Sequence, residues 1–289
     1  MIFQRTELLI GSENLNKLKN SHVIVFGVGG VGGFATEALI RAGIGEISIV
    51  DFDTVDITNL NRQIIALQST IGKLKTSVMK KRLLNINPNL IVHEYPCKFS
   101  KDNIDIFFKD KSISLIICDV MMPKINGFDV VKEIRQYSQV PIIMLTAKGE
   151  ESDELNGFDL GVDEYISKPF SPKILVARVE AILRRSNNLS TGEVLKAGGI
   201  ELDIAAHEVR IDGKEITLSF KEFELLNYFV VNQGVALSRE KILNNVWNYD
   251  YFGDARTIDT HVKKLRSKLG EKGEYIKTIW GMGYKFEVD

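Results

Sequence analysis

The stretch SHVIVFGVGGVGG, residues 21–33, decides the fold of the first part of the chain. Its apolar run Val23–Phe26 predicts a buried strand, and the glycines after it lead into a predicted helix over Phe34–Ala42. A glycine-rich turn of this kind lets backbone N–H groups approach a phosphate. Asp51 follows Gly27 by 24 positions and ends the next predicted strand, where its carboxylate can accept hydrogen bonds from a ribose. A tight strand-to-helix turn with an N-capping acid is the alternative interpretation.

Strand and helix patterns keep alternating up to about residue 185. The later predicted strands are Ile47–Val50, Leu90–His93, Leu115–Cys118, Pro141–Leu145 and Tyr165–Ile166. The later predicted helices are Thr76–Leu84, Phe128–Tyr137, Ser152–Leu160 and Lys173–Arg185. Such alternation predicts an α/β fold with a parallel sheet. Ser186–Ala197 is rich in small polar residues and breaks the pattern, so we expect a linker there.

Composition limits the class of protein. A chain of 289 residues exceeds one ordinary domain, so we expect two or three. The net charge of −1 neither favours nor excludes nucleic acid, so only a local basic patch is informative. Two cysteines are too few for a four-thiolate zinc site or a disulfide framework. No uncharged apolar run approaches the roughly 18 residues of a membrane-spanning helix, so we expect a cytoplasmic protein without membrane contact.

Six short motifs in the first 108 residues point to one family. They are Arg5–Gly11, Gly27–Gly32, Asp51–Val55, Asn59–Gln63, Gly72–Lys75 and Ile86–Pro88. Residues 5–108 thereby resemble the N-terminal half of the ubiquitin-activating-enzyme-like ATP-binding family of the ThiF/MoeB type, above all the branch that dehydrates threonylcarbamoyladenosine in tRNA. The resemblance implies that ATP is the ligand, with Gly27, Gly29 and Gly32 in its loop, Asp51 on the ribose, and Asn59, Arg62 and Lys75 on the phosphates.

The second half of that family is absent. After the fourth predicted strand the sequence lacks the family's magnesium-binding Asp in its expected motif, its acceptor-recognition segment and its paired CxxC. Adenylyl transfer needs a metal and a positioned acceptor carboxylate. The sequence therefore does not predict an enzyme, although nucleotide binding stays compatible with it.

A different family begins near residue 113. Its motifs are Leu115–Pro123, Asn126-Gly127, Leu145–Ala147, Gly161–Tyr165 and Ser167–Phe170. Residues 113–185 resemble the last three-fifths of a response-regulator receiver. The resemblance implies that Asp119 is the phosphoacceptor, that Thr146, Lys168 and Tyr165 form the receiver switch, and that a sensor histidine kinase is the partner. For Asp119 alone the alternative is a strand-end cap, and for Lys168 alone it is a solvated lysine, but the joint spacing of the motifs disfavours both alternatives.

The receiver's first two strand–helix units and the acidic pair that binds Mg²⁺ are missing. In a Rossmann sheet of order 3-2-1-4-5-6 the fourth strand lies beside the first. If Leu115–Cys118 takes that place beside Val23–Phe26, the two pieces close into one six-stranded Rossmann-like sheet. Asp119 then faces the Gly27–Gly32 loop, and the candidate Mg²⁺ ligands are Asp51, Asp53 and Asp119. We expect phosphorylation of Asp119 to be weak or lost. Partial order of the first 185 residues is the alternative.

The last part of the chain has a third pattern. Ile258, Val262, Leu265 and Leu269 recur at helical spacing, and six Lys/Arg stand between Arg256 and Lys272 against Asp259 and Glu271. Such a basic helix fits a DNA major groove, whereas a merely solvated charged helix is the alternative. Further motifs are Leu218–Leu226, Leu237–Arg239, Val246-Trp247 and Thr278–Phe286.

Residues 198–289 thereby resemble a whole OmpR/PhoB-type winged helix-turn-helix domain. The candidate DNA-contacting residues are Arg256, Thr260, His261, Lys263, Lys264, Arg266, Lys268, Thr278 and Lys285. Trp280 stands in the wing where many relatives carry Arg, which weakens the case for a charged minor-groove contact. The resemblance implies double-stranded DNA as partner and a homodimer on tandem sites, to which Asp163 and Arg178 are candidate contributors.

The predicted organisation is residues 1–112 as the ThiF-like half-domain, 113–185 as a truncated receiver, 186–197 as linker and 198–289 as the winged helix. The predicted function is a DNA-binding transcriptional regulator of the two-component type. The alternatives are an ATP-dependent adenylyltransferase or tRNA threonylcarbamoyladenosine dehydratase-like enzyme, and a non-functional fusion of two genes joined near Asp110–Ser114.

Overall fold

A computed structural model describes residues 2–109, 112–122, 125–147, 160–186, 194–204, 206–247 and 257–288. The chain forms two compact units, Met1–Asn187 and Asn188–Asp289, each with its own buried core. Among the described helices, none combines the length and apolar character that crossing a lipid bilayer requires.

The first unit is built on parallel strands with helices between them. Its strands are β1 His22–Phe26, β2 Glu46–Val50, β3 Ile91–Tyr95, β4 Leu115–Asp119, β5 Met121–Met122, β6 Ile125–Asn126, β7 Ile142–Ala147 and β8 Glu164–Lys168. Its helices are α1 Gln4–Lys19, α2 Gly30–Ala42, α3 Lys75–Ile86, α4 Asp105–Phe108, α5 Gly127–Ile134 and α6 Pro172–Ser186. Residues 152–159 of the helix predicted over Ser152–Leu160 lie outside the described residues. The sequence analysis did not predict α1.

The main sheet has six strands in the order β3-β2-β1-β4-β7-β8, with parallel pairing throughout. Val23 pairs with Leu115, and Phe26 pairs with Cys118. The receiver strand β4 therefore lies beside β1, as the sequence analysis predicts for a single six-stranded sheet. Every residue of β1 is buried, because strands in the middle of such a sheet are covered on both faces. This explains why the sequence shows continuous apolar runs there.

The direction of the parallel strands brings the candidate functional side chains to one edge of the sheet. In a parallel sheet all the strands run in one direction, so the carboxyl ends of β1, β2, β4, β7 and β8 meet at one edge. The short antiparallel hairpin β5–β6 follows β4 at this edge. Asn126 then caps α5, accepting a hydrogen bond from the N–H of Phe128 at 3.0 Å. The peptide between Lys168 and Pro169, at the end of β8, is cis.

The second unit has two small antiparallel sheets around three helices. Its strands are β9 Val194–Ala197, β10 Ile200–Asp203, β11 Glu208–Ile211, β12 Lys214–Ile216, β13 Ala236–Ser238, β14 Ile276–Ile279 and β15 Gly283–Phe286. Its helices are α7 Phe220–Val231, α8 Arg239–Val246 and α9 Thr257–Leu269. The sheet orders are β12-β11-β10-β9 and β13-β15-β14.

Local sequence explains two features of this unit. Asp212 and Gly213, with φ of 49° and 80°, form the tight turn between β11 and β12, because an Asp-Gly pair accepts positive φ at both positions. Ser219 and Glu222 form a reciprocal capping box at the start of α7.

One boundary differs from the prediction, because Val194–Ala197 belongs to a strand rather than to the linker. Val194–Ala197 pairs with Ile200–Asp203 across two glycines of positive φ, and that pairing ends the linker before residue 194.

Candidate functional site

The glycine loop after β1 needs glycine for steric reasons. Gly27 has a φ of 83°, which side chains disfavour. A Cβ at Gly32 would lie 1.8 Å from the carbonyl oxygen of Gly27, because the first turn of α2 packs directly on the loop. The loop therefore presents bare backbone at the amino end of α2, where the helix dipole favours an anion.

Asp51 follows β2 and supports this loop. Its Oδ2 accepts a hydrogen bond from the N–H of Val28 at 2.9 Å, and its Oδ1 accepts one from the N–H of Asp53 at 2.9 Å. Burial raises the pKa of the Asp51 carboxyl above its ordinary value, an effect that these two hydrogen bonds and the charge of Lys75 oppose. The carboxylate is thus fixed in orientation at the position predicted for a ribose ligand.

A cleft of about 820 Å³, counting its opening to solvent, lies at the carboxyl edge of the sheet. The side chains and loops that line it come from both resembled families. The lining residues are Phe26, Gly27, Gly29, Gly30, Val50, Asp51, Phe52, Asp53, Arg62, Gln63, Lys75, Cys97, Lys98, Phe99, Asp119, Met121, Met122 and Ile125. Three cations and three carboxylates therefore share one cavity, which the glycine loop lines together with Asp119, the last residue of the receiver strand β4.

The predicted phosphate ligands are placed differently from one another. Lys75 is buried and its Nζ lies 2.9 Å from Oδ2 of Asp53, inside the cleft. Arg62 lines the cleft and donates from Nη1 to the carbonyl of Thr58 at 2.6 Å. The buried Asn59 is not among the cleft-lining residues; its Oδ1 accepts the N–H of Asp56 at 3.1 Å and closes a capping box. Lys75 and Arg62 therefore lie in the cleft, whereas Asn59 stabilises a turn beside it.

The receiver residues meet at the same edge. Nζ of Lys168, at the end of β8, lies 2.5 Å from Oδ1 of Asp119, and the N–H of Met121 donates to the same oxygen at 2.9 Å. Thr146, near the end of β7, and Tyr165, in β8, are both buried. The structure therefore brings the predicted phosphoacceptor and its lysine into direct contact.

The place of the receiver's acidic pair is taken by the glycine loop. Phe26 pairs with Cys118, so the next residues of these strands, Gly27 and Asp119, are neighbours. A Cβ at Gly27 would lie 3.9 Å from Cβ of Asp119 and 3.3 Å from Sδ of Met122. The carboxylates that share the cleft with Asp119 are Asp51 and Asp53, which follow β2 rather than β1.

The suggestion that Asp163 and Arg178 pair at a dimer face is wrong. Asp163 is fully buried, and its Oδ2 accepts hydrogen bonds from Nη2 of Arg135 at 2.7 Å and from the N–H of Ile142 at 2.8 Å. Arg178 lies 3.6 Å from Glu164 instead. A buried carboxylate needs a partner inside its own fold, and Arg135 provides it.

Helix α9 of the second unit has the predicted two-faced character. Ile258, Val262, Leu265 and Leu269 are buried in the core. Lys263 is exposed and Lys264 is partly exposed on the other side. Arg256 lies outside the described residues. A helix with one buried apolar stripe and cations opposite it is the form that enters a major groove in helix-turn-helix proteins.

His261 is a correction. The sequence analysis placed it among the DNA-contacting residues, but it is 5% exposed and its ring centroid lies 4.6 Å from that of Trp247. The position is i+3 from Ile258 and i−4 from Leu265, so the buried stripe is wider than the four aliphatic residues indicate. Trp247, from the end of α8, fills that additional width.

Several other predicted contacts are engaged within the unit. Arg266 donates from Nε to the carbonyl of Ile276 at 3.0 Å and from Nη2 to Oγ1 of Thr278 at 2.9 Å, so it ties α9 to β14. Lys268 pairs with Glu222 at 2.5 Å, and Lys285 pairs with Glu287 at 2.7 Å. Trp280 is 92% exposed at the turn between β14 and β15, a larger apolar exposure than the sequence patterns signalled.

Comparison with known proteins agrees with this composite architecture. The ThiF family model matches residues 3–128, the response regulator receiver domain model matches residues 81–180, and the model of the transcriptional regulatory protein C terminal matches residues 213–286. The first two matches overlap over residues 81–128, where the chain passes from one half of the sheet to the other.

The fold and the matched domains define a class: the chain belongs to the two-component transcriptional regulators that join a response-regulator receiver to a C-terminal DNA-binding domain. Within that class it is similar to the transcriptional regulatory protein ResD of Bacillus subtilis, with 46% identity over 190 residues, which covers 62% of this chain and 79% of ResD.

Two solved structures share its fold at low identity. One is E. coli tRNA N6-threonylcarbamoyladenosine dehydratase, TcdA, in complex with ATP, with a TM-score of 0.54, 24% identity and coverage of 63% of this chain and 93% of TcdA. The other is a mutant of RitR, with a TM-score of 0.58, 19% identity and coverage of 93% of this chain and all of RitR. The chain spans only 55% of another structure of TcdA.

Proposed function

We propose that this regulator recognises a promoter by placing α9 in the major groove of duplex DNA. The observation that carries the proposal is α9 of the second unit, which buries one stripe in the core and leaves Lys263 exposed and Lys264 partly exposed on the other side. Lysines opposite a rigid core face can neutralise phosphates and release counterions, while neighbouring side chains reach base edges. The resemblance adds that two copies bind tandem sites.

The proposal is tested by selecting binding sites from a random duplex library with the full chain. A regulator of this kind enriches one sequence motif, and its affinity for that motif falls steeply with salt. Enrichment of no motif, or an affinity indifferent to salt, would contradict the proposal.

We propose further that phosphorylation of Asp119 no longer switches this protein effectively. Receivers rely on carboxylates at the end of the strand beside the phosphoacceptor, and here that strand, β1, ends at Phe26 and is followed by Gly27. Bound Mg²⁺ would neutralise phosphoryl oxygens. Besides Asp119 itself, its candidate ligands here are the carboxylates that follow β2. Both carboxylate oxygens of Asp51 accept hydrogen bonds from backbone N–H groups. Oδ1 of Asp53 and Oδ2 of Asp119, in contrast, accept no hydrogen bond from the described residues. Those two oxygens would hold the ion. A partner kinase would be the natural phosphoryl donor.

Labelling with acetyl phosphate tests this second proposal. The expected result is little or no phosphoryl incorporation under conditions that label a response regulator whose acidic pair is intact. Robust incorporation that Asp119→Asn abolishes would overturn it.

A nucleotide in the cleft is a further proposal, which the geometry of the glycine loop favours. The bare loop backbone, Arg62 and Lys75 suit a polyanion, and Asp51, which we propose contacts the sugar, lines the same cleft with its carboxylate held by the N–H of Val28. Lys75→Ala should weaken binding of a fluorescent ATP analogue, whereas Lys73→Ala, an exposed lysine two residues earlier, should not. ATP–pyrophosphate exchange on the same preparation tests the enzymatic alternative, for which we expect no turnover.

A further inference from the structure

The edge of the sheet opposite the cleft carries a cluster that none of these functions uses. His22 is the first residue of β1, Glu46 the first residue of β2, and His93 the middle residue of β3. His22 pairs with Glu46 across β1 and β2, and Ser48 pairs with His93 across β2 and β3. Paired residues, and residues two apart along a strand, share one face of a sheet. All four side chains therefore project from the same face of three adjacent strands.

The donor atoms of His22, Glu46 and His93 converge. Oε1 of Glu46 lies 3.4 Å from Nδ1 of His22 and 2.7 Å from Nε2 of His93, and one ligand atom from each residue lies within 4.8 Å of the others. Zinc–ligand bonds of about 2.0–2.2 Å at tetrahedral angles separate neighbouring donors by about 3.4 Å. The separation from His22 matches that value and the one from His93 is 0.7 Å shorter, so a small rotation of the Glu46 or His93 side chain would seat an ion.

Ser48 orients the most buried ligand. Its Oγ lies 2.8 Å from Nε2 of His22, while the other ring nitrogen, Nδ1, faces Glu46. A hydroxyl that accepts the Nε2 proton leaves the lone pair on Nδ1, which is the tautomer a metal requires. A supporting hydrogen bond on the nitrogen that does not bind the ion is the usual companion of metal-binding histidines.

Access and chemistry are both suitable. The His22 side chain is 4% exposed, whereas those of Glu46 and His93 are 33% and 35% exposed, so an ion can enter from solvent and keep a water in its fourth position. We propose that His22, Glu46 and His93 bind a divalent transition-metal ion of the zinc class. Two imidazoles and one carboxylate are borderline ligands that favour such ions over Mg²⁺ or Ca²⁺.

The test uses the full chain, prepared without a histidine tag and stripped with a chelator. Zn²⁺ is titrated against a chromophoric competitor. We expect one equivalent to bind and to raise the melting temperature of the first unit. His93→Gln and Glu46→Gln should each weaken Zn²⁺ binding at least tenfold, and Ser48→Ala by about tenfold, since supporting residues contribute that much.

Glu94→Gln is the matched control. Glu94 follows His93 on β3, points to the other face and contacts Ser77 and Lys80, so its variant should bind Zn²⁺ as the parent chain does. Absence of binding by the parent chain, or equal binding by all variants, would overturn the proposal. Zinc-edge X-ray absorption of the parent chain gives a result independent of variant folding. A shell of nitrogen and oxygen supports the site, and a sulfur shell from Cys97 or Cys118 contradicts it.

Discussion

Replacing Gly32 by alanine tests the packing of the glycine loop most severely. The new methyl carbon would lie 1.8 Å from the carbonyl oxygen and 3.0 Å from the carbonyl carbon of Gly27. Because the obstacle is backbone rather than a flexible side chain, loop and helix must separate. Overpacking of this kind costs about 3 kcal/mol, at the upper end of its usual range. For a unit of this size that corresponds to a fall of about 6–12 °C in melting temperature.

Gly30→Ala is the control, because the nearest atom to its added carbon is the carbonyl oxygen of Arg62, at an ordinary 3.7 Å. Calorimetry of the full chain should show that Gly32→Ala lowers the transition of the first unit and leaves that of the winged-helix unit unchanged. It should also abolish nucleotide binding at temperatures where the unit is still folded. Equal melting temperatures for Gly32→Ala and Gly30→Ala would refute the loop geometry described above.

Other perturbations have equally definite outcomes. If each lysine neutralises one phosphate, replacing Lys263 and Lys264 together by alanine should reduce the slope of log affinity against log salt by about 1.8 and weaken DNA binding by about 2.4 kcal/mol at 0.1 M salt. The control Lys214→Ala, which replaces an exposed lysine on β12, should change neither quantity. An unaltered slope in the double variant would exclude α9 from the interface. Burial against Phe220 and Phe223 lowers the pKa of His207 from 6.5 to about 4, so the folded unit resists protonation that the unfolded chain accepts. Its stability should be complete above pH ~6.5 and fall by about 2 kcal/mol by pH ~5; denaturant titrations of the parent chain and of His207→Asn, which tolerates the positive φ of this position, should differ in that fall, and parallel pH profiles would contradict it. Asp163→Asn should destabilise the first unit by about 3 kcal/mol, since it removes the buried carboxylate that pairs with the Arg135 guanidinium, whose side chain is 10% exposed. A chevron or melting series with a change under about 0.5 kcal/mol would show that the pair is dispensable.

The topology of the first unit could be predicted because it depends on simple features. Continuous apolar runs identify buried parallel strands, and the rule that the fourth strand lies beside the first leaves one position for Leu115–Asp119. The residues that meet at the carboxyl edge follow from the same rule. That rule predicts that Asp51, Asp53 and Asp119 lie at one crevice, whereas Lys75 is assigned through the resemblance to the ThiF/MoeB type.

Predictions failed at residues whose burial or pairing depends on a partner that is distant in the sequence. Nothing in the spacing of α9 shows that Trp247 comes from α8 to cover His261. Likewise, charge and position suggested a dimer contact for Asp163, whereas Arg135, 28 residues earlier, neutralises it inside the fold. Short elements such as the β5–β6 hairpin and β13 have too few residues for periodicity to identify them.

We propose that this DNA-binding regulator, whose receiver strands join a sheet that carries the glycine loop after β1, no longer depends on phosphorylation of Asp119. The most direct test measures the affinity of the full chain for its selected operator with and without acetyl phosphate. The account predicts salt-sensitive, sequence-specific binding that the phosphoryl donor and Asp119→Asn leave unchanged. Binding that tightens tenfold with the donor, and only when Asp119 is present, would contradict it.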